Sequence, residues 1–208
     1  MTPRSPMALL MIAVAAGIGY SMTARAVSKR RTSQQDKALR SQVQENRSPS
    51  GDAVAKSVGP IGKEWLHIPA AVAVSGYLMK KGAGARAVIP AAVSITAEAA
   101  SRILDHARPH RRPPPGHPDP DSPSFPSGHA NETTAVTLAC AYVLARENLV
   151  PAAPAFVVAT ILSIASPAGR IYLDRHWVTD AIGGWCVGIT IAAASAAAYE
   201  WMTPAPMR

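Results

Sequence analysis

Two short stretches carry most of the information in this chain: residues 126–129 read Pro-Ser-Gly-His, and residues 170–180 read Arg-Ile-Tyr-Leu-Asp-Arg-His-Trp-Val-Thr-Asp. Together they contain two histidines, an arginine, a carboxylate and a glycine-bearing turn. Those groups are the ones needed to bind a phosphate and to transfer it through a histidine. A phosphatase is therefore the first hypothesis.

The second stretch leads into an apolar helix that is predicted to begin near Asp180. If the turn with His176 is already helical, Asp180 lies on the same face and can accept a hydrogen bond from one imidazole nitrogen. The other nitrogen of His176 is then free to attack phosphorus. Arg170 offers a planar set of donors that suits two phosphate oxygens.

The first stretch precedes residues 130–146, which contain little Gly or Pro and are predicted to form a helix. Ser127 suits the N-cap, and Gly128 lets backbone amides approach an anion at the positive end of that helix. His129 lies beside the expected phosphate and can protonate the departing oxygen. Ser-Gly pairs and histidines near helix starts are also common in ordinary loops, so the evidence is the co-occurrence of both stretches.

With these residues the chain resembles the superfamily of type 2 phosphatidic acid phosphatases (PAP2) and vanadium haloperoxidases. Its pattern has three blocks: Lys, six residues and Arg-Pro; then Pro-Ser-Gly-His; then Ser-Arg, five residues, His, three residues and Asp. The second block is complete here, and the third is matched at Arg170, His176 and Asp180, with Gly169 in place of Ser. The resemblance implies that His176 forms a phosphohistidine, that Asp180 orients it, and that His129 protonates the leaving group.

The resemblance assigns the binding of the phosphate oxygens to Ser127, Gly128, Arg170 and Arg108. The first block departs from the pattern, because residues 108–109 fit its end while Ser101 stands where Lys is usual. Arg102, one position later, is the candidate substitute, although it points to a different side of an ideal helix. Ending the block at residues 111–113 would place Asp105 at the Lys position, which is a poorer match.

Composition indicates a single membrane-embedded domain, since the chain has 208 residues of which 48% are hydrophobic. Apolar segments separated by short charged hinges are typical of a polytopic helical bundle. Six such segments recur, at residues 7–24, 65–79, 85–100, 130–144, 151–166 and 181–202. We predict an all-α fold with about six spans and a PAP2-like core, the design that the resemblance also implies for lipid phosphatases.

Three segments have more than one interpretation or a special composition. Residues 7–24 are either a retained span or a cleaved signal peptide, and the second alternative goes with a soluble periplasmic acid phosphatase or haloperoxidase relative. Residues 27–61 are basic and polar, which predicts an interfacial helix or a flexible loop. Residues 105–129 are predicted to be an active-site loop, rich in Pro up to residue 125 and therefore extended and stiff.

The net charge of +8 is consistent with an anionic substrate or an anionic lipid surface. Nucleic acid is not favoured, because no aromatic residues alternate with the basic cluster. His110 and His117 lack a recognised metal-ligand spacing, and the expected chemistry requires no metal or other cofactor. No protein partner is expected from the sequence.

The predicted function is hydrolysis of a lipid phosphate monoester or diphosphate, of the phosphatidic acid, phosphatidylglycerol phosphate or polyprenyl diphosphate class. A second hypothesis is a membrane protein that binds a lipid phosphate without turning it over, because the lysine of the first block is missing. The resemblance places the site on the extracytoplasmic face of the cell membrane. That face would carry more Lys and Arg than the opposite one, against the usual distribution of positive residues.

Overall fold

The computed structural model describes residues 5–107 and 111–203, and in these two ranges the chain forms helices and loops without a β-strand. Its α-helices are α1 (Pro6–Ser28), α2 (Ser33–Glu45), α3 (Pro49–Val58), α4 (Glu64–Lys80), α5 (Ile89–Asp105), α6 (Gly128–Arg146), α7 (Ala152–Tyr172) and α8 (Val178–Met202). Two 3-10 helices, Gly59–Gly62 and Gly84–Val88, precede α4 and α5. The predicted all-α fold is confirmed.

Four segments of the described chain are long and apolar enough to cross a membrane: Pro6–Ser28, Gly84–Asp105, Ala152–Tyr172 and Val178–Met202. They coincide with four of the six predicted apolar segments. The other two are also helical but are not among the four, since α4 has only 17 residues and α6 carries buried polar residues at 131–134. Helix α6 lies in the core, where α5, α7 and α8 all pack against it.

Small residues let the long helices approach closely. Helix α1 runs antiparallel to α8, so that a Cβ added at Gly19 would lie 3.2 Å from Sγ of Cys186. A side chain at Gly184 would meet the backbone oxygen of Ser127, and one at Gly188 would lie 2.6 Å from the backbone oxygen of Asn131. Glycine is required where two helix backbones come this close. The start of α6 is therefore held directly against the start of α8.

Residues 27–61, predicted to be an interfacial helix or a flexible loop, contain α2, α3 and a 3-10 helix, which cover one end of the bundle. The contact depends on Asp36 of α2, which is only 1% exposed. Its carboxylate accepts hydrogen bonds from the amide and the hydroxyl of Thr179, at 3.1 and 2.7 Å. This docking joins residues 143 positions apart, and no local pattern in the segment indicates it.

Candidate active site

Apart from Arg102, the predicted site residues that the structure describes lie at the end of the bundle covered by α2 and α3. They come from the start of α6, the end of α7, the loop after α7 and the start of α8. Arg108 and His110 lie outside the described residues. His117 engages its own loop, since its Nδ1 lies 2.6 Å from the carbonyl oxygen of Asp119.

His176 is held by a backbone carbonyl group. Its Nδ1 lies 3.1 Å from the carbonyl oxygen of Ser124, at the end of the Pro-rich loop. Because a carbonyl oxygen can only accept, Nδ1 must carry the hydrogen, and Nε2 then carries the lone pair. Nε2 makes no hydrogen bond to any described residue, and the side chain is 11% exposed. This tautomer is the one in which Nε2 can act as a nucleophile.

Asp180 does not make the hydrogen bond to His176 that the spacing predicted. Its Oδ2 lies 3.7 Å from Nδ1 of His176, beyond hydrogen-bonding distance. The carboxylate turns back on its own helix instead, where Oδ2 accepts from the amide of Trp177 at 2.9 Å. Its Oδ1 accepts from Arg111 at 3.1 Å. Asp180 thus fixes the loop before α8 and places a buried negative charge close to the imidazole of His176.

The start of α6 is a capped and closely packed turn. Ser127 is fully buried and is the N-cap, with its Oγ accepting from the amide of Ala130 at 3.4 Å. Its own amide donates to the carbonyl oxygen of Asp180 at 2.9 Å. At Gly128 an added Cβ would lie 3.3 Å from Oγ of Ser101, so the turn is closely packed.

His129 is a buried imidazole whose Nε2 has no hydrogen-bond partner within the described ranges. It lies at the first turn of α6, ahead of the apolar part of that helix, and Gly62 packs against its Cα. Burial lowers the pKa of His129 to about 3, and the positive charge of Arg170 acts in the same direction. These surroundings keep the histidine neutral, whereas a bound phosphate would favour its protonated form.

Arg170, in the last turn of α7, is a half-buried cation whose Nε is fully buried. Its Nε has no hydrogen-bond partner among the residues that the structure describes. A buried guanidinium group without an anion is costly, and a phosphate would remove that cost. The preceding residue is Gly169, where a Cβ would lie 2.7 Å from Cγ2 of Val58 and 2.9 Å from the backbone oxygen of Ala55. Helix α3 thus leaves no room for the serine that the family pattern has at this position.

The structure does not bring Arg102 to the site. Its side chain is 73% exposed and donates from Nε to Glu98 at 2.7 Å. Ser101 faces the turn at Gly128 instead, is 8% exposed and accepts a hydrogen bond from Nδ2 of Asn131 at 3.0 Å. The position of the missing lysine is therefore inside the site, and a neutral hydroxyl occupies it.

Sequence reasoning missed the residue that ties these segments together, Arg111. Its guanidinium bridges Asp36 at 2.6 Å and Asp180 at 3.1 Å, and it also donates to the hydroxyl of Thr179. It lies over the ring of Trp177, with 5.0 Å between the guanidinium carbon and the ring centroid. In the sequence Arg111 was only an alternative end for the first block, and its partner Asp36 gave no signal.

Asp174 anchors the loop before His176 in a similar way. It has a left-handed backbone with φ of 59°, and its side chain is 5% exposed. Both of its oxygens accept from Arg40 of α2 at 2.7 Å, and Oδ2 also accepts from the amide of Gly116 at 2.9 Å. The loop of His176 is therefore held between α2 and the Pro-rich loop.

A bundle of membrane-length apolar helices that brings two largely buried histidines and an arginine to one end has the architecture of a membrane phosphatase. The sequence profile of the PAP2 superfamily matches residues 83–204, more than half of the chain. The chain belongs to the PAP2 superfamily, as the resemblance indicated, and it is an integral membrane protein and a phosphoric ester hydrolase of that class.

A solved structure supports the same fold. The chain is similar to the crystal structure of a transmembrane PAP2 type phosphatidylglycerolphosphate phosphatase from Bacillus subtilis, with a TM-score of 0.83 and 21% sequence identity. The match covers 92% of this chain and 98% of that one. No curated protein matches the chain in sequence. The membrane fold favours the membrane-embedded prediction over the soluble periplasmic alternative.

Proposed function

We propose that this protein hydrolyses a phosphate monoester or diphosphate on a lipid, through a phosphohistidine on Nε2 of His176. The observation that carries the proposal is the bond from Nδ1 of His176 to the carbonyl oxygen of Ser124, which leaves Nε2 as the free lone pair. The Nε of Arg170 and the Nε2 of His129 have no hydrogen-bond partner among the described residues. In the proposed reaction Arg170 binds the phosphate oxygens, and His129 protonates the leaving group.

In the first step Nε2 of His176 attacks phosphorus, and the bond from phosphorus to the lipid oxygen breaks. Protonated His129 gives its proton to that oxygen, so the lipid leaves as an alcohol or a shorter phosphate. In the second step water attacks phosphorus, the phosphorus–nitrogen bond breaks, and His129 takes the proton from the water.

Fixed donors stabilise the charge that develops on the phosphate oxygens in both steps. We assign this role to Arg170, to the amides at Gly128, to Ser127 and to Arg108. Asp180, 3.7 Å from Nδ1 of His176, stabilises the positive charge that the imidazole acquires on phosphorylation.

A lipid substrate is supported by the position of the site at the end of membrane helices. A cleft of about 780 Å³ lies next to the proposed site, between the end of α5 and the Pro-rich loop. Its wall contains basic and acidic side chains and none of the proposed reacting groups: Asp105, His106, Arg111, Arg112 and Asp121. This cleft is large enough for a phosphate headgroup. Phosphatidylglycerol phosphate, the lipid after which the similar phosphatase from Bacillus subtilis is named, is the first substrate to test. Phosphatidic acid and a polyprenyl diphosphate follow.

The test is phosphate release by detergent-purified protein from each of the three lipids, compared with His176→Ala. We expect release by the wild type, a loss of at least about 10³-fold in the variant, and an acid-labile phosphate label on the wild type alone. The control is Lys56→Ala, a substitution at an exposed position of α3, which is purified and assayed in the same way. Release that persists in His176→Ala would refute the phosphohistidine.

Ser101 in place of the family lysine supports the second candidate, a protein that binds a lipid phosphate without turnover. Orthovanadate, a phosphate analogue, separates the two. Saturable vanadate binding by a folded wild type that releases no phosphate from any of the three lipids would favour the binding protein.

We further propose that the site faces the extracytoplasmic side. A cysteine introduced at the exposed position Asp119, in the Pro-rich loop, should react with a membrane-impermeant maleimide on intact cells. A cysteine at Lys81, at the opposite end of α4, should not react. The reverse pattern would place the site in the cytoplasm.

A further inference from the structure

Beside the phosphate site, three helices each contribute one side chain to a buried cluster of His67, Glu98 and Glu132. Nε2 of His67 in α4 lies 3.4 Å from Oε2 of Glu132 in α6 and 3.9 Å from Oε2 of Glu98 in α5. One ligand atom from each residue lies within 4.8 Å of the others. The side chains of His67 and Glu132 are 3% and 8% exposed, and that of Glu98 is 19% exposed.

The imidazole of His67 is oriented like a metal ligand. Its Nδ1 lies 2.8 Å from Oγ of Ser94, which is fully buried. A hydrogen bond on Nδ1 fixes the ring and, where Nδ1 is the donor, leaves Nε2 with its lone pair. Nε2 is buried and has no hydrogen-bond partner in the described part of the chain, although it points towards two carboxylates.

We propose that His67, Glu98 and Glu132 bind a divalent transition-metal ion, and that Zn²⁺ is the ion that fits best. Ligand atoms about 2.1 Å from a tetrahedral ion are about 3.4 Å apart, which is the separation of Nε2 from Glu132 and is close to that from Glu98. One imidazole and two carboxylates form a ligand set suited to Zn²⁺, with a fourth position for water.

Charge also favours an ion at this position. Two carboxylates held close together in the interior repel each other when both carry a charge. The exposed Arg102 offsets the charge of Glu98 only, through Oε1. A divalent ion would neutralise both carboxylates and tie α4, α5 and α6 together.

The ion would lie close to the phosphate-binding turn. Oε1 of Glu132 is 3.2 Å from where a Cβ at Gly128 would be, and Ser101 lies on the same side. A charged carboxylate at Glu132 would repel a phosphate bound there. The ion therefore takes over part of the role of the missing lysine, a consequence that rests on the proposed function, whereas the metal site itself does not.

The experiment is metal analysis by plasma mass spectrometry of protein purified in detergent through a tag without histidines. We expect about one equivalent of Zn²⁺ in the wild type and in His176→Ala, because the nucleophile is not a ligand. Occupancy should fall at least about tenfold in His67→Ala and in Glu132→Gln. His117→Ala is the matched histidine control and should keep the ion.

A second measurement uses only wild-type protein, so that it does not depend on whether the variants fold. Wild-type protein is stripped with a chelator and titrated with Co²⁺, which absorbs visible light strongly in tetrahedral sites with nitrogen and oxygen ligands. Saturation at one equivalent, reversed by Zn²⁺, supports the site. Wild-type protein that carries no metal and gives no Co²⁺ spectrum would overturn the proposal, even if the protein releases phosphate through His176.

Discussion

Asp36→Ala should weaken the packing of α2 over the candidate active site. The buried carboxylate of Asp36 is the group through which α2 binds Arg111 and the start of α8. Asp36 is 1% exposed and accepts from Arg111 at 2.6 Å. It also accepts from the amide and the hydroxyl of Thr179, at 3.1 and 2.7 Å. The substitution removes all three hydrogen bonds and one of the two anions that hold Arg111.

The size of the effect follows from that geometry. Removing one member of a buried ion pair costs about 3–5 kcal/mol. Arg111 keeps its contact with Asp180, so we expect the lower end, about 3 kcal/mol. For a chain of this size that lowers the melting temperature by about 6–12 °C. Phosphate release should also fall, because the loop that presents Asp180 and His176 loses its anchor.

The assay is thermal unfolding of the detergent-purified protein, followed by intrinsic fluorescence, together with phosphate release. The control is Asp52→Ala in α3, which removes a solvent-accessible ion pair with Arg47 in the preceding turn and should leave the melting temperature almost unchanged. If Asp36→Ala has the same melting temperature as Asp52→Ala, α2 does not dock through this carboxylate and the reasoning fails.

Three further predictions concern the site itself. Gly169→Ser should destabilise the protein by about 1–3 kcal/mol, because the new side chain meets backbone and side-chain atoms of α3; an unchanged melting curve would contradict this. Arg170→Ala should lower kcat for phosphate release about 10²–10³-fold while Arg102→Ala leaves it unchanged, and equal effects would show that Arg102 reaches the site. Because the pKa of His129 falls from 6.5 to about 3 on folding, between these pH values the imidazole is protonated in the unfolded chain and neutral in the native protein. Stability should thus decrease by up to about 1.4 kcal/mol per pH unit between pH 6.5 and 3, and His129→Gln should flatten that part of the pH profile in denaturation experiments.

The sequence alone was sufficient to predict the helices and to single out the residues to which the proposed reaction is assigned. Apolar segments of helical length and the helix-capping Ser127 are local features, because they depend on neighbouring residues along the chain. The spacing within the two motifs likewise brought out His129, Arg170 and His176, all of which the structure places at one end of the bundle. The family profile confirmed the resemblance that those motifs carried.

The tertiary structure decided which partner each buried charge has. Asp180 faces His176 by spacing, yet its hydrogen bonds go to Trp177 and Arg111, because the capping amide and a distant guanidinium meet the same carboxylate. The burial of Asp36 in a polar segment has the same origin in a long-range contact.

The cluster of His67, Glu98 and Glu132 is also a result of tertiary structure. The sequence around each of these residues gives no indication that the other two lie nearby. A local pattern can place a side chain on a face of a helix, and it carries no information on which distant segment lies opposite. The packing of three helices determines that partner, and with it whether a buried charge is paired, unpaired or available to bind an ion.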